Sequence, residues 1–309
     1  MLYSTKTPNE KRKAFRDAVK PGAAVQFPGA FTPLSAKLIQ EKGFQGAYIS
    51  GAVLANELGL PDVGLTTLSE VAQRGRQIAD ATDLPTLIDA DTGFGEPMNV
   101  ARTIQELENA GLSGCHIEDQ FNPKRCGHLD GKNMVDLKTA TMRIKGAVDG
   151  RRDSDFVIMA RTDLRAVEGL DAAIARMKAL VDSGADMIFP EALKDLSEFE
   201  RVCNEIDVPV LANMTEFGKS ELFTKQQLAD AGVAMVIYPV TLLRIAMGAI
   251  ERTLDTIATE GTQDSKVEEM LTRSRLYELV DYEAYNQFDS GIFNFQVPSS
   301  DIQTNNANL

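Results

Sequence analysis

Eight short apolar runs recur along this chain, separated by stretches with helical periodicity. They cover residues 24–27, 47–50, 86–89, 115–118, 156–161, 187–189, 208–212 and 235–238. Four of them are introduced alike: a helical stretch ends in Gly43, Gly111, Gly184 or Gly232, a few residues pass, and the apolar run begins. Glycine just past a helix supplies a left-handed cap at low steric cost. Helix starts are also marked. Thr32-Pro33 reads as an N-cap followed by a first-turn proline, and Thr67-x-x-Glu70, Ser197-x-x-Glu200 and Thr224-x-x-Gln227 fit the capping-box pattern. The runs are near-continuously apolar rather than alternating, as strands of a parallel sheet covered on both faces must be. Eight such units in 309 residues predict an α/β fold, a (β/α)8 TIM-type barrel rather than an open sheet. No Gly-x-Gly-x-x-Gly follows a strand, because Met98 stands where Gly93-x-Gly95 needs its third glycine, so a dinucleotide fold is disfavoured.

The unit 1–309 reads as a single barrel domain with a C-terminal helical extension over 241–290. One helix is expected to about Glu260 and a second from about Lys266 to Phe288. That is more helix than one closing unit requires, and the surplus is expected to pack on another subunit. A net charge of −13 argues against a nucleic-acid partner. It leaves room for an anionic substrate, since local cations dominate inside a cleft. No apolar run reaches the roughly 18 residues of a membrane helix, and the first residues lack the apolar core of a secretory signal. Three cysteines without framework spacing fit a reducing compartment. The expectation is a cytoplasmic protein.

Barrel active sites lie at the C-terminal ends of the strands. Here every run but the first ends on distinctive polar or turn residues: Ser50-Gly51, Asp89 with Asp91, Glu118, Arg161 with Asp163, Glu191, Asn213 with Thr215, and Pro239. Asp89 and Asp91 are two apart, which on an extended strand turns both carboxylates to one side. Two carboxylates there repel unless a cation lies between them, and hard oxygen ligands suit Mg²⁺. Glu118 can join directly or through water. The alternative is a pair of caps for the following helix. Arg161 offers a planar fork to a substrate carboxylate, or else an ion pair to Asp163 or Glu191. His116 falls mid-strand and reads as a satisfied core histidine.

The run Lys124-Arg125-Cys126-Gly127-His128 sits between a strand and a helix, on a loop. The two cations favour the Cys126 thiolate, and Gly127 lets the backbone approach a ligand closely. Taken alone, the cysteine would more often be filler. Zinc is a weak reading, for no metal-ligand spacing accompanies it.

This run, together with Asp89-Ala90-Asp91-Thr92-Gly93-Phe94-Gly95, resembles the isocitrate lyase/phosphoenolpyruvate mutase superfamily, and its lyase branch in particular. The likeness extends from about Phe27 to Tyr282, through Gly59-Leu60-Pro61-Asp62, His116-Ile117-Glu118-Asp119-Gln120, Phe189-Pro190-Glu191-Ala192 and Asn213-Met214-Thr215-Glu216-Phe217-Gly218. The resemblance implies Mg²⁺ and cleavage of a small tricarboxylate, (2S,3R)-2-methylisocitrate, to pyruvate and succinate in the methylcitrate cycle of propionate catabolism. It implies a homotetramer, a dimer of dimers with a C-terminal helix swapped between subunits. On the matching positions, Asp89 and Asp91 form the metal site, with Asp62 and Glu118 in its outer shell. Ser50, Gly51 and Ala52 border the pyruvate part. Arg161, Glu191, Asn213, Thr215, Arg244 and Arg273 line the substrate, and Gly127 and His128 close over it. Tyr48 is the candidate base for the C2 hydroxyl, and Cys126 the general acid that protonates the succinate carbon. Phe189, Ile237 and Pro239 leave room for the C2 methyl where isocitrate lyases resemble Trp, Phe and Thr. Ala52 departs from the glycine common in close relatives and adds a methyl near the pyruvate end. The rival readings are a sister lyase acting on isocitrate or 2,3-dimethylmalate, a phosphonate mutase or hydrolase, which Cys126 counts against, and a carboxylate-binding barrel without catalysis.

Overall fold

The structure is a computed structural model that describes residues 4–125, 131, 133–218 and 220–295. Its eight strands are β1 (Val25–Pro28), β2 (Ala47–Ile49), β3 (Thr86–Asp89), β4 (Gly114–Glu118), β5 (Val157–Thr162), β6 (Met187–Pro190), β7 (Leu211–Asn213) and β8 (Met235–Tyr238). They pair in parallel, in the orders β2-β3-β4-β5-β6 and β1-β8-β7. Isolated parallel bridges at Gly29↔Tyr48 and Ile188↔Val210 connect the two sets, β1 beside β2 and β6 beside β7. The neighbour order thus returns to its start, as expected of eight β–α units.

Side chains alternate between two apolar clusters. Phe27, Tyr48, Leu87, Met159, Phe189 and Ile237 fill the space enclosed by the strands. Ile49, Ile88, Ile117 and Ile158 face the helices instead. Helix α1 (Pro8–Ala18) places Phe15 on Phe27, ring centroids 5.2 Å apart. A side chain on Gly114, at the start of β4, would meet Phe15, so α1 closes the N-terminal end of the strands. The opposite end is left for chemistry.

Local signals account for most helix starts. Thr32 caps a helix beginning at Pro33, and the boxes Thr67 with Glu70 and Thr224 with Gln227 form. A further box, Thr7 with Glu10, opens α1. Ser197 is not a cap. Helix α9 (Leu196–Glu205) starts earlier, on Asp195, whose carboxylate accepts from the Glu198 N–H at 3.1 Å. The C-terminal extension also differs. Helix α11 (Thr241–Glu260) ends on Gly261 at φ +69°. The expected second helix is three pieces: a 3-10 turn (Asp264–Glu269), α12 (Arg273–Leu279) and α13 (Tyr282–Phe293). Thr272 caps α12, and Asp281 at φ +58° separates α12 from α13. Among the described residues, no helix is long and apolar enough to cross a membrane.

Candidate active site

The C-terminal strand ends surround a cavity of about 830 Å³. Its wall includes Tyr48, Ser50, Ala52, Asp62 and Asp89 from the first half of the chain. Arg161, Phe189, Glu191, Asn213 and Thr215 follow, then Ile237, Pro239 and Arg244. Arg273 does not join them; it is exposed at the start of α12. Cys126, Gly127 and His128 lie outside the described residues.

In parallel register, Asp89 pairs with His116, Glu118 with Arg161, and Arg161 with Phe189. Arg161 is buried among three carboxylates: Nε lies 3.1 Å from Asp163, and Nη2 lies 3.3 Å from both Glu118 and Glu191. Its guanidinium also stands over the Phe189 ring, 5.1 Å from the centroid. Burial alone would weaken this cation, but Asp163, Glu118 and Glu191 more than offset that and hold it charged. Asn213 Nδ2 reaches both Glu191 oxygens at 3.4 Å. Asp163 is fixed in turn, its N–H donating to Asp119, which also accepts from the Thr162 hydroxyl.

Across the ring, Asp89 and Asp91 converge on the backbone of helix α3 (Gly51–Glu57). A Cβ on Gly51 would lie 2.9 Å from Asp89 Oδ2 and 3.4 Å from Asp91 Oδ1. The convergence is not strand alternation. The strand stops at Asp89, and Asp91 takes φ +46°, its N–H donating to Asp89 Oδ1 at 2.9 Å. Lys124, buried, lies 2.7 Å from Asp91 Oδ1 and pairs with Asp62. Burial raises the Asp89 carboxyl, but His116, Lys124 and Arg161 outweigh it and bring it below its usual value. Asp91 is pushed up to about 6 by burial and by Asp89. Glu118 is raised further, first by burial.

Tyr48 Oη lies 2.8 Å from His116 Nε2. Burial lowers His116 to about 4, against the pull of Asp89. Burial and Asp89 raise the Tyr48 phenol well above its usual value.

A family model described as phosphoenolpyruvate phosphomutase matches residues 15–258. This chain belongs to the phosphoenolpyruvate phosphomutase family. It is 58% identical over 299 residues to the probable 2-methylisocitrate lyase 2 of Corynebacterium glutamicum, with 97% of each chain covered. It is 46% identical over 283 residues to the 2-methylisocitrate lyase of Escherichia coli, covering 91% of this chain and 96% of that one. A solved phosphonopyruvate hydrolase in complex with oxalate and Mg²⁺ superposes with a TM-score of 0.80 at 26% identity, over 94% of this chain and 99% of that one.

The phosphoenolpyruvate phosphomutase family thus brings a divalent cation into question, and the residues here fit one. Among the described residues no three His, Cys, Asp or Glu side chains cluster as a self-sufficient metal cage. Magnesium does not need one, since it commonly takes one or two carboxylates and keeps several waters. Asp91 Oδ1 and Glu118 Oε2 are buried and met by the Lys124 and Arg161 cations, and among the described residues Glu118 Oε1 is buried without a hydrogen bond, which is costly to leave uncompensated. Asp89, Asp91 and Glu118 supply the hard oxygens.

Sequence reasoning missed several wall residues. Glu57 and Arg74 reach the cavity from α3 and α4 (Leu68–Asp80), and Glu216 and Phe217 from the loop after β7. Glu216 holds Arg244 at 2.8 Å, and Phe217 lies under the same guanidinium. The Glu216 and Phe217 positions were visible inside the Asn213-to-Gly218 run that carried the resemblance. Nothing in local pattern distinguishes Glu57 or Arg74 from ordinary helix-surface charges.

Proposed function

We propose that this chain is a carbon–carbon lyase that cleaves 2-methylisocitrate to pyruvate and succinate. The cavity carries the reading: it joins acidic side chains at Asp62 and Asp89 to cationic, amide and hydroxyl groups at Arg161, Arg244, Asn213 and Thr215. A substrate with several carboxylates and one hydroxyl needs both kinds of wall. A divalent cation held by Asp89 and Asp91, with Glu118 and Asp62 around it, would stabilise negative charge on the substrate hydroxyl and keto oxygens. Arg161, Arg244, Asn213 and Thr215 orient the carboxylates. Ser50, Gly51 and Ala52 border the pyruvate half, where Tyr48 presents its phenol. Glu191 fixes Arg161 and Asn213. Phe189, Ile237 and Pro239 form the apolar surface that receives the C2 methyl. Cys126 gives its proton to the succinate carbon as the C2–C3 bond breaks, with Gly127 and His128 covering the site. The same reading assigns Mg²⁺ as the cation, a cytoplasmic setting suited to a free catalytic thiol, and a homotetramer.

Mg²⁺-dependent release of keto acid from 2-methylisocitrate, isocitrate and 2,3-dimethylmalate, measured side by side, tests this. One methyl in a pocket is worth about 1–3 kcal/mol. The expected kcat/KM for pyruvate from 2-methylisocitrate is therefore at least about tenfold above that for glyoxylate from isocitrate. A reversed preference overturns the substrate assignment and keeps lyase chemistry. No product from any of the three acids overturns the lyase reading.

A further inference from the structure

Lys124 is placed as if it were itself a bound cation. Its stem packs over Gly64, where an added Cβ would lie 3.4 Å from Lys124 Cγ. Its ammonium reaches into the carboxylate cluster, pairing with Asp62 and lying 2.7 Å from Asp91 Oδ1. The side chain is 3% exposed, so few waters screen these contacts. Its flanks are fixed as well. Gln120 clasps the Arg125 backbone from both sides, donating to the carbonyl at 2.8 Å and accepting from the N–H at 2.9 Å. Asn122 donates to the Thr92 hydroxyl at 2.8 Å.

That Asp91 oxygen is also one of the candidate cation ligands. A magnesium ion binds a carboxylate oxygen at about 2.1 Å. Sharing Oδ1 with the Lys124 ammonium would bring a double and a single positive charge to within about 5 Å of each other. At that range, with the ammonium buried, the repulsion is large. One oxygen does not serve both at full strength.

We propose that the Lys124 ammonium and a divalent cation compete for Asp91, so that filling the cation site loosens Lys124 from the carboxylates. The proposal rests on reading Asp89 and Asp91 as the cation site. Coupling of this kind is reciprocal: whatever affinity Lys124 removes from the cation, the cation removes from the Lys124 contact. The segment that leads into the Cys126 loop is then sensitive to whether the cation is bound. Without the cation, the Lys124 ammonium offsets the repulsion between Asp62 and Asp91.

Calorimetric titration of Mg²⁺ and Mn²⁺ into metal-stripped wild type, Lys124→Met and Lys124→Arg tests it. Lys124→Met keeps the stem and removes the charge, and should bind at least about fivefold more tightly, the lower end of ordinary coupling. Lys124→Arg retains a cation and should stay near wild type. Unchanged or weaker binding by Lys124→Met, beside normal wild-type binding, overturns the competition. No binding by wild type overturns the cation-site reading itself. A second readout needs no variant: acylation of Lys124 by an amine reagent, followed by peptide mass spectrometry, should rise when Mg²⁺ is added. Labelling that stays constant or falls also overturns the proposal.

Discussion

Burial makes two of the three thiols inert. Cys115 lies fully inside β4, and burial, then Asp89, raises its thiol far out of the reactive range. Cys203, half-buried on α9, is pushed up to about 12 by burial. At pH 8 a thiol with that value is roughly one part in ten thousand thiolate, and only thiolate attacks an alkylating agent. Iodoacetamide at pH 8 should therefore modify Cys126 and leave Cys115 and Cys203 untouched, as read by peptide mass spectrometry. The Cys203 rate should climb about tenfold per unit as pH rises toward 12. Equal labelling of Cys203 and Cys126 at pH 8 would sink the distinction. Residue types at the strand ends were readable in this way because chemistry restricts them. Partners were not. That Asp89 and Asp91 lie close together was visible, but strand alternation was the wrong reason. The link from Lys124 to Asp62 and Asp91 joins three loops that only the fold brings together.

Helices and strands were legible where their ends carry a stereochemical signature. Gly43, Gly111, Gly184 and Gly232 all take positive φ, as a helix-ending glycine should. The break at Asp281 was not legible, since a non-glycine residue at positive φ carries no such mark. Helix-to-helix fit was equally hidden. Helices α5 (Pro97–Asn109) and α6 (Leu137–Gly150) meet through glycine. A Cβ on Gly146 would stand 2.7 Å from the Pro97 carbonyl oxygen, and one on Gly150 2.5 Å from Ala101 Cα. Both obstacles are backbone, which yields little. Gly146→Ala gains about 1 kcal/mol of helix propensity, against an overpacking cost of about 1–3 kcal/mol. With contact this close the cost should prevail, for a net loss of about 1–2 kcal/mol. Urea unfolding at fixed protein concentration should show a lower midpoint with an unchanged slope. A raised midpoint would mean that the two helices separate freely.

At the scale of the whole molecule, α11 is the anomaly. It is 20 residues long and has no buried residue within its own chain. Leu243, Met247, Ile250, Leu254 and Ile257 recur at three- and four-residue spacing, one stripe along the helix. The stripe begins at the cavity, whose wall includes Leu243 and Met247, and runs outward to Leu254, 60% exposed. On α13, Phe288 and Ile292 are 59% and 63% exposed. Fully covering a leucine or isoleucine is worth about 1.5–3 kcal/mol, so covering the stripe is favoured. The homotetramer of the proposed reading would supply that cover. Light scattering coupled to size exclusion should give about four times the 33.7 kDa chain mass. Replacing Leu254 and Ile257 together by Asp would place two charges on the stripe, which a paired apolar surface does not tolerate. The variant should elute as a smaller species. Position 254 lies ten residues, about 15 Å of helix, beyond Arg244. Activity lost together with mass would therefore mean that assembly helps form the site, and activity retained in the smaller species that each cavity works alone. A wild type that runs at 33.7 kDa, with its stripe bare, would refute the assembly outright.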